Sequence, residues 1–142
     1  MSYWLCITTA DNWEVIKKHK VWGVSKRYEK TISQVKPGDV LIFYVMQTKE
    51  KDKVLPPRIV GKAKVSSEVF RDSTKIFKGY GKEQTFPLRV KLTDLKEFQK
   101  PINFKELVPK LEFIKNKKYW TGYLRRAMVK LDENDVEVVM SE

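Results

Sequence analysis

Apolar and polar residues are distributed along this chain in a pattern that predicts four strands. Val40 to Val45 is a continuous apolar, β-branched and aromatic run, typical of a strand buried on both faces. Tyr3 to Thr8 predicts a first strand, while Ile59 to Val69 and Leu88 to Leu92 alternate apolar with basic residues, as half-buried strands do. No helix of crossover length is predicted between the central strands, so the pattern favours a small, bent or closed sheet over a βαβ fold.

Helices are predicted on either side of these strands. Asp11 predicts a capping-box start for a helix from Asn12 to about His19, and Asp132 begins a second helix that runs to about Met140. Val21 to Ser25, which contains a glycine, and the segment Phe70 to Thr85 are interpreted as loops. The predicted class is therefore α+β, with helices near both ends of the chain.

Composition limits the number of domains and the class of protein. The chain has 142 residues, of which 42% are apolar and 12% aromatic, enough for one hydrophobic core. No repeat, linker or low-complexity segment interrupts it, so residues 1–142 are expected to form a single domain, with a monomer favoured. No apolar stretch reaches membrane-spanning length and the first residues lack the features of a secretory signal, so we expect no membrane partner and a cytoplasmic location.

The scarcity of cysteine and histidine excludes several kinds of chemistry. One Cys and one His cannot form a disulfide or a zinc site, and they do not favour nucleophilic catalysis, so neither metal nor cofactor is expected. Gly79-Tyr80-Gly81-Lys82 has no strand before it and is interpreted as a loop rather than a phosphate-binding motif. An enzyme would have to rely on Asp39 and Asp11, which are more simply explained as turn and cap residues. We therefore expect a protein without catalytic activity.

The charge of the chain points to an anionic partner. Lys and Arg number 29 against 18 Asp and Glu, a net charge of +11, and nucleic acid is the usual partner of such a surface, although lysine-rich surfaces also occur in thermophilic proteins. Lys17 to Tyr28 carries five basic and no acidic residues around Trp22. Ile114 to Lys130 carries six basic and no acidic residues, interleaved with aromatic rings. Rings that stack on bases beside cations that neutralise phosphates are typical of single-strand or flipped-base recognition.

Several segments together resemble one family. They are Tyr3-Trp4-Leu5, Val21-Trp22-Gly23-Val24-Ser25, Val35 to Tyr44, Ile59-Val60-Gly61 and Leu111 to Trp120. In this order and spacing they are similar to the stand-alone archaeal and bacterial members of the EVE-domain family. The resemblance implies a PUA-like bent β-barrel of about five or six strands flanked by short helices, related to YTH domains. It also implies a non-catalytic reader of nucleic acid that accepts a modified base, a methylated cytosine or adenine, in an aromatic pocket.

The resemblance also suggests which residues bind. Trp22 falls where YTH domains have a cage tryptophan, and it is equally explicable as core. The candidate base-binding residues are Trp22, Val24, Thr8, Thr9 and Asn12, with Tyr44, Phe77 or Trp120 as a second wall. The candidate phosphate-binding residues are Lys26, Arg27, Lys117, Lys118, Arg125 and Arg126, each of which could instead be a solvated surface charge.

The identity of the ligand stays open at this level. Extruding a base costs less from a single strand than from a duplex, so RNA is expected more than DNA. The alternative is a small-molecule binder whose pocket holds a free nucleoside or another metabolite. Salt separates the two, because phosphate contacts weaken steeply with salt and contacts to a neutral nucleoside do not.

Overall fold

The computed structural model describes residues 1–79 and 85–141. Its strands are β1 (Tyr3–Thr8), β2 (Val21–Val24), β3 (Val40–Val45), β4 (Thr48–Glu50), β5 (Lys53–Leu55), β6 (Arg58–Val65), β7 (Phe70–Arg71), β8 (Leu88–Asn103) and β9 (Met128–Leu131). Its α-helices are α1 (Ala10–His19), α2 (Glu29–Ile32), α3 (Phe104–Leu107) and α4 (Glu133–Met140), with 3-10 helices over Lys26–Tyr28, Val108–Lys110 and Lys117–Leu124. Of the loop predicted over Gly79-Tyr80-Gly81-Lys82, positions 80 to 82 lie outside the described residues.

One strongly curled sheet organises the fold. Its strand order is β2-β8-β6-β3-β1-β9, with β7 also paired to β8, while β4 and β5 form a separate hairpin. β1 runs parallel to β3 and antiparallel to β9. Register shifts interrupt the pairing of β6 with β3 and with β8, and such bulges bend a sheet. The α+β class with a bent sheet is thus confirmed.

The central strands separate two hydrophobic clusters. Along β1 and β3 the side chains alternate, so that Trp4, Cys6, Leu41 and Phe43 enter one cluster while Leu5, Ile42 and Tyr44 enter the other. Both strands are buried on both faces, as the unbroken apolar run predicted for β3. Cys6 is fully buried, and burial raises the pKa of its thiol well above the usual range. No helix in the described part of the chain is both long and apolar enough to cross a bilayer.

Several sequence-based expectations were wrong at the level of elements. The strand predicted over Ile59 to Val69 ends at Val65, and Phe70–Arg71, expected in a loop, is the short strand β7. The first helix begins at Ala10 rather than Asn12, because the Thr9 hydroxyl, not Asp11, caps it by accepting a hydrogen bond from the Asn12 N–H at 3.2 Å. Val21–Val24 is a buried strand and not a loop, since it pairs with the first residues of β8. β8 continues past Leu92 to Asn103, although its alternation is broken where Asp94 adopts a positive φ of 51°.

Candidate functional site

A cavity of about 770 Å³ opens where the end of β1 meets β2 and the segments 73–78, 85–87 and 124–127. Sites for small molecules and bases fall in this size range. Of the predicted base-binding residues, the cavity brings together Thr8, Thr9, Asn12, Trp22 and Phe77. Of the predicted phosphate-binding residues, it brings together Lys26, Arg27, Arg125 and Arg126.

Trp22 belongs to both the cavity and the core. It lies on β2 opposite Val90, is 4% exposed, and meets the ring of Phe43 edge-on with centroids 6.0 Å apart. Its indole Nε1–H is buried and has no hydrogen-bond partner among the described residues. Because a buried donor is normally paired, this indole is an exception. Trp22 also lines the cavity, and we call its ring the cavity floor. The exposed area of Trp22 is far smaller than a stacked base would cover.

The wall opposite the end of β1 is a loop folded around a buried arginine. Arg89, 1% exposed, donates hydrogen bonds to the carbonyl oxygens of Phe86 (3.0 Å), Thr85 (2.9 Å) and Thr74 (2.5 Å), and lies 3.5 Å from the Asp72 carboxylate. Burial lowers the pKa of its guanidinium, and the charge of Asp72 opposes that effect. A buried charge with several acceptors fixes the path of the chain that supplies them.

Phe77 is the aromatic residue that this loop brings to the cavity. Its ring lies 5.2 Å from the Arg89 guanidinium carbon and 5.7 Å, edge-on, from the ring of Phe86. Both rings line the cavity. Phe86 itself has a positive φ of 51°, an unusual conformation for a bulky side chain, which the hydrogen bond from Arg89 Nε to its carbonyl oxygen helps to hold.

Two polar residues next to the end of β1, Thr9 and Asn12, make hydrogen bonds that hold the structure. The Asn12 side chain donates to the Lys78 carbonyl oxygen and accepts from the Lys78 N–H, both at 2.8 Å, and so ties α1 to the loop. Thr9 caps α1 through its hydroxyl. Thr8 is 6% exposed. Asn12 therefore shapes the cavity by fastening Phe77 and Lys78 rather than by offering a free amide.

The rim of the cavity carries charge of one sign. Five lining residues are basic, namely Lys26, Arg27, Lys78, Arg125 and Arg126, and no Asp or Glu is among the described lining residues. Lys78 has a weak partner in Asp11 at 3.6 Å, with both side chains exposed. The Arg27 guanidinium lies 5.8 Å from the Tyr28 ring. The arrangement attracts an anionic ligand and offers it apolar and aromatic surface below the charges.

The remaining predicted residues lie elsewhere. Val24 is in the core, and Tyr44 points from β3 to the opposite cluster, where it meets Phe104 edge-on at 4.9 Å and burial raises its pKa to about 12. Trp120 packs on that same Phe104 ring at 5.8 Å. Lys117 donates to the Leu111 carbonyl oxygen at 2.5 Å, and Lys118 is exposed on the same 3-10 helix. None of these five lines the cavity.

Several lining residues were not predicted. Tyr28, Lys78 and Phe86 line the cavity, as do Ser25 and Met46. Tyr28 carried a usable signal, because it directly follows the Lys26-Arg27 pair in a segment already singled out for its cations. Phe86 carried none, since it lies just before β8 and no local pattern shows which way its side chain faces.

The two carboxylates considered for catalysis are outside the cavity. Asp39 accepts hydrogen bonds from the Ser2 N–H (2.9 Å), the Lys36 N–H (3.0 Å) and Trp4 Nε1–H (3.1 Å), which joins the start of β1 to the turn before β3. Burial raises its pKa, but the three hydrogen bonds outweigh burial and leave the pKa below its usual value. Asp11 is an exposed residue in the first turn of α1.

Comparison with known proteins gives consistent matches. The family model described as the EVE domain matches residues 2–142. A UPF0310 protein of Pyrococcus abyssi is 51% identical over 142 residues, covering 99% of each chain. Human THYN1, solved in complex with 5-methylcytosine containing DNA, is similar with a TM-score of 0.65 at 17% identity over 99% of this chain and 96% of that one. The Mmi1 YTH domain has a TM-score of 0.59 at 17% identity over 99% of this chain and 73% of that one. Both structural likenesses confirm the PUA-like fold.

Proposed function

This chain belongs to the EVE-domain family, and from that premise we propose that it is a nucleic-acid-binding module that holds a modified base, a methylated cytosine or adenine, in the cavity. One observation carries the proposal. A cavity of about 770 Å³ lined by aromatic side chains is rimmed by five cations, with no carboxylate among its described lining residues. Neutral metabolites do not require such a rim, whereas the phosphates on either side of an extruded base do.

The apolar wall supplies the means to recognise a modification. Phe77 and Phe86 line the cavity beside Met46, so a methyl group on the base has apolar surface to contact. Filling such a slot contributes about 1–3 kcal/mol, or roughly 10- to 200-fold in affinity. Asn12 and Arg89 hold this wall in place before the ligand arrives. Because the ligand does not have to order the wall, the entropic cost of binding is small.

The expected partner is RNA in preference to DNA. The cavity takes a base only if that base leaves its stack, and this costs a few kcal/mol from a duplex and less from a single strand. THYN1, a similar structure, was solved with DNA that contains 5-methylcytosine, so the test must include both nucleic acids.

Fluorescence anisotropy with short oligonucleotides tests the proposal. The panel contains single- and double-stranded RNA and DNA, with and without methylated cytosine and methylated adenine, at about 50 and 200 mM salt. We expect at least several-fold preference for one modified base, and an affinity that falls steeply with salt as counterions are released. Equal, weak binding to every oligonucleotide would contradict the proposal, and salt-independent binding of a neutral nucleoside would favour a small-molecule binder instead.

A matched pair of variants connects the affinity to the cavity rim. Arg125→Gln/Arg126→Gln removes two lining cations, and Lys100→Gln/Lys105→Gln removes the same charge from exposed residues outside the cavity. We expect the first pair to lower the salt slope by about 1.4–1.8 and the affinity more than tenfold. The second pair should change the affinity less than threefold, and equal effects of the two pairs would show that only net charge matters.

A further inference from the structure

A second groove, of about 410 Å³, lies beside the cavity. Its floor is formed by β1 and β9, where Trp4 pairs with Lys130, and by Met128 on the same face of β9. One wall is formed by Thr31 and Gln34 around α2. The groove therefore lies on the surface of the sheet. Lys130 lines this groove but does not line the first cavity.

Four cations line this groove. They are Arg27, Arg125, Arg126 and Lys130, and no Asp or Glu is among its described lining residues. No carboxylate in the described part of the chain lies within 4 Å of any of the four. Lys130 Nζ is held 6.0 Å from the Trp4 ring, so its ammonium stands over the groove floor. Uncompensated charge held in a concave surface attracts an anion.

The groove and the cavity share a wall. Arg27, Tyr28, Arg125 and Arg126 line both, so a chain molecule that leaves the cavity over these residues enters the groove directly. Tyr28 is half-buried at this divide, with the Arg27 guanidinium 5.8 Å from its ring. A ligand in both concavities would pass three guanidinium groups and then an ammonium, and this number of cations suits several phosphates better than one anion.

We propose that this groove binds the sugar-phosphate backbone of the nucleotide adjacent to the one whose base occupies the cavity, so that the protein's ligand is a strand and not a nucleoside or mononucleotide. The inference rests on the proposed function and specifies its substrate class. It also assigns a direction, because the strand leaves the cavity toward β9 and α2 and not along the exposed lysines of β8. Lys130 is the phosphate-binding residue that distinguishes this path from contacts at the cavity rim.

Ligand length is the variable that tests the groove. The probes are 5-methylcytidine, its monophosphate, and RNA oligomers of two and four nucleotides that contain 5-methylcytosine, with N6-methyladenine as a parallel series. The variants are Lys130→Gln, Gln34→Glu in the groove wall, and Lys105→Gln as the matched control on α3, all at exposed positions. Thermal unfolding of each variant confirms that it is folded before calorimetric titration at two salt concentrations.

The expected result has three parts. The wild-type affinity rises at least fivefold from the monophosphate to the tetranucleotide, and Lys130→Gln lowers the tetranucleotide affinity about 3- to 10-fold while changing the monophosphate affinity less than twofold. Gln34→Glu lowers the tetranucleotide affinity as well, since it places a negative charge in the groove. The salt slope for the tetranucleotide falls by about 0.7–0.9 in Lys130→Gln and is unchanged in Lys105→Gln.

Two contrary outcomes are distinguishable. Equal affinity for the monophosphate and the tetranucleotide would overturn the proposal that the groove binds the adjacent nucleotide. Equal effects of Lys130→Gln and Lys105→Gln would do the same. Neither result would contradict binding of a base in the cavity. Failure of the wild-type protein to bind any member of either series, or any oligonucleotide of the RNA and DNA panel described above, would overturn the proposed function, and with it the groove.

Discussion

Arg89 shows how a single side chain decides the shape of the candidate site. Its guanidinium donates to three carbonyl oxygens of one loop and packs against Phe77, the aromatic residue that the loop brings to the cavity. A buried charge is expensive to desolvate, and here it is compensated mainly by neutral acceptors, with one carboxylate at 3.5 Å. Arg89 is therefore a positioning residue, since the described cavity lining does not include it.

Arg89→Met is expected to lower the free energy of unfolding by about 2–4 kcal/mol, because three partly buried carbonyl oxygens lose their charged donor. Oligonucleotide affinity should fall as well, at a temperature where the variant is still folded. Arg71→Met is the control, since Arg71 forms only an exposed ion pair with Glu29 at 3.1 Å and its loss should cost less than about 1 kcal/mol. Urea unfolding and anisotropy measure the two effects, and equal losses in both variants would contradict the role given to Arg89.

Asp39 makes the stability of the protein depend on pH. The pKa of Asp39 is lower in the folded chain than in the unfolded one. Its contribution to the free energy of unfolding is therefore fully present above the ordinary carboxyl pKa of about 4, and it is lost as the pH falls through the pKa of the folded state. Asp39→Asn should cost about 1–3 kcal/mol at pH 7, and the difference from wild type should shrink between about pH 4 and pH 2. Urea unfolding across this range tests it, with the exposed Asp52→Asn as a control that should match wild type throughout.

At the residue scale, the sequence could identify types of side chain better than their orientation. Trp4 and Trp13 were correctly expected in the core, where each indole N–H has a carboxylate partner. Tyr44 was a candidate wall residue, yet it follows Phe43, which meets Trp22, and adjacent residues of a strand point to opposite faces. The sequence did not reveal which face of β3 looked toward Trp22, and so it could not choose between Phe77 and Tyr44.

At the scale of elements, β2 depends on a glycine for its contact with the loop. A Cβ at Gly23 would lie 2.8 Å from the Phe86 carbonyl oxygen and 3.0 Å from the Phe77 ring. The glycine that suggested a loop is thus required by close packing in a strand. The same contact fixes the distance between the cavity floor and its aromatic wall.

Gly23→Ala is therefore expected to displace the loop, with a loss of about 1–3 kcal/mol in unfolding free energy and a measurable loss of oligonucleotide affinity. Gly122→Ala is the matched control, because a Cβ there would have nothing within 4 Å. That control should leave binding unchanged and stability unchanged or up to about 1 kcal/mol higher. Thermal unfolding and anisotropy on both variants check the prediction, and unaltered binding in Gly23→Ala would contradict it.

Elements with strong local signals could be predicted and others could not. β1 and β3 have the predicted bounds, because their apolar runs are bounded by polar residues and turns. The last helix was also predicted, since Asp132 caps it by accepting from the Asp135 N–H at 3.0 Å. β2 and the second half of β8 were missed because their pairing is with residues distant in sequence, which no local pattern records.

At the scale of the whole molecule, the two hydrophobic clusters contribute unequally to the cavity. One cluster carries Trp22 and Phe77, while the other lies across the sheet under α3 and α4 and reaches the cavity at Ile7 and Leu124. Leu107→Ala in the second cluster should cost about 2–5 kcal/mol, because it empties a fully buried site. Oligonucleotide affinity measured below the melting temperature should stay within twofold of wild type, and a larger loss would show that the two cores are coupled.

The position of β1 has a consequence for the order in which this protein can assemble. β1 lies inside the sheet, paired with β3 on one side and with β9, more than 120 residues later, on the other. As the chain emerges from the ribosome, one edge of β1 therefore stays unpaired until residue 131 has been synthesised. The cavity draws on Thr8 and on Arg125 and Arg126, so it too forms only then. A nascent chain thus lacks a finished cavity while it is still next to ribosomal RNA.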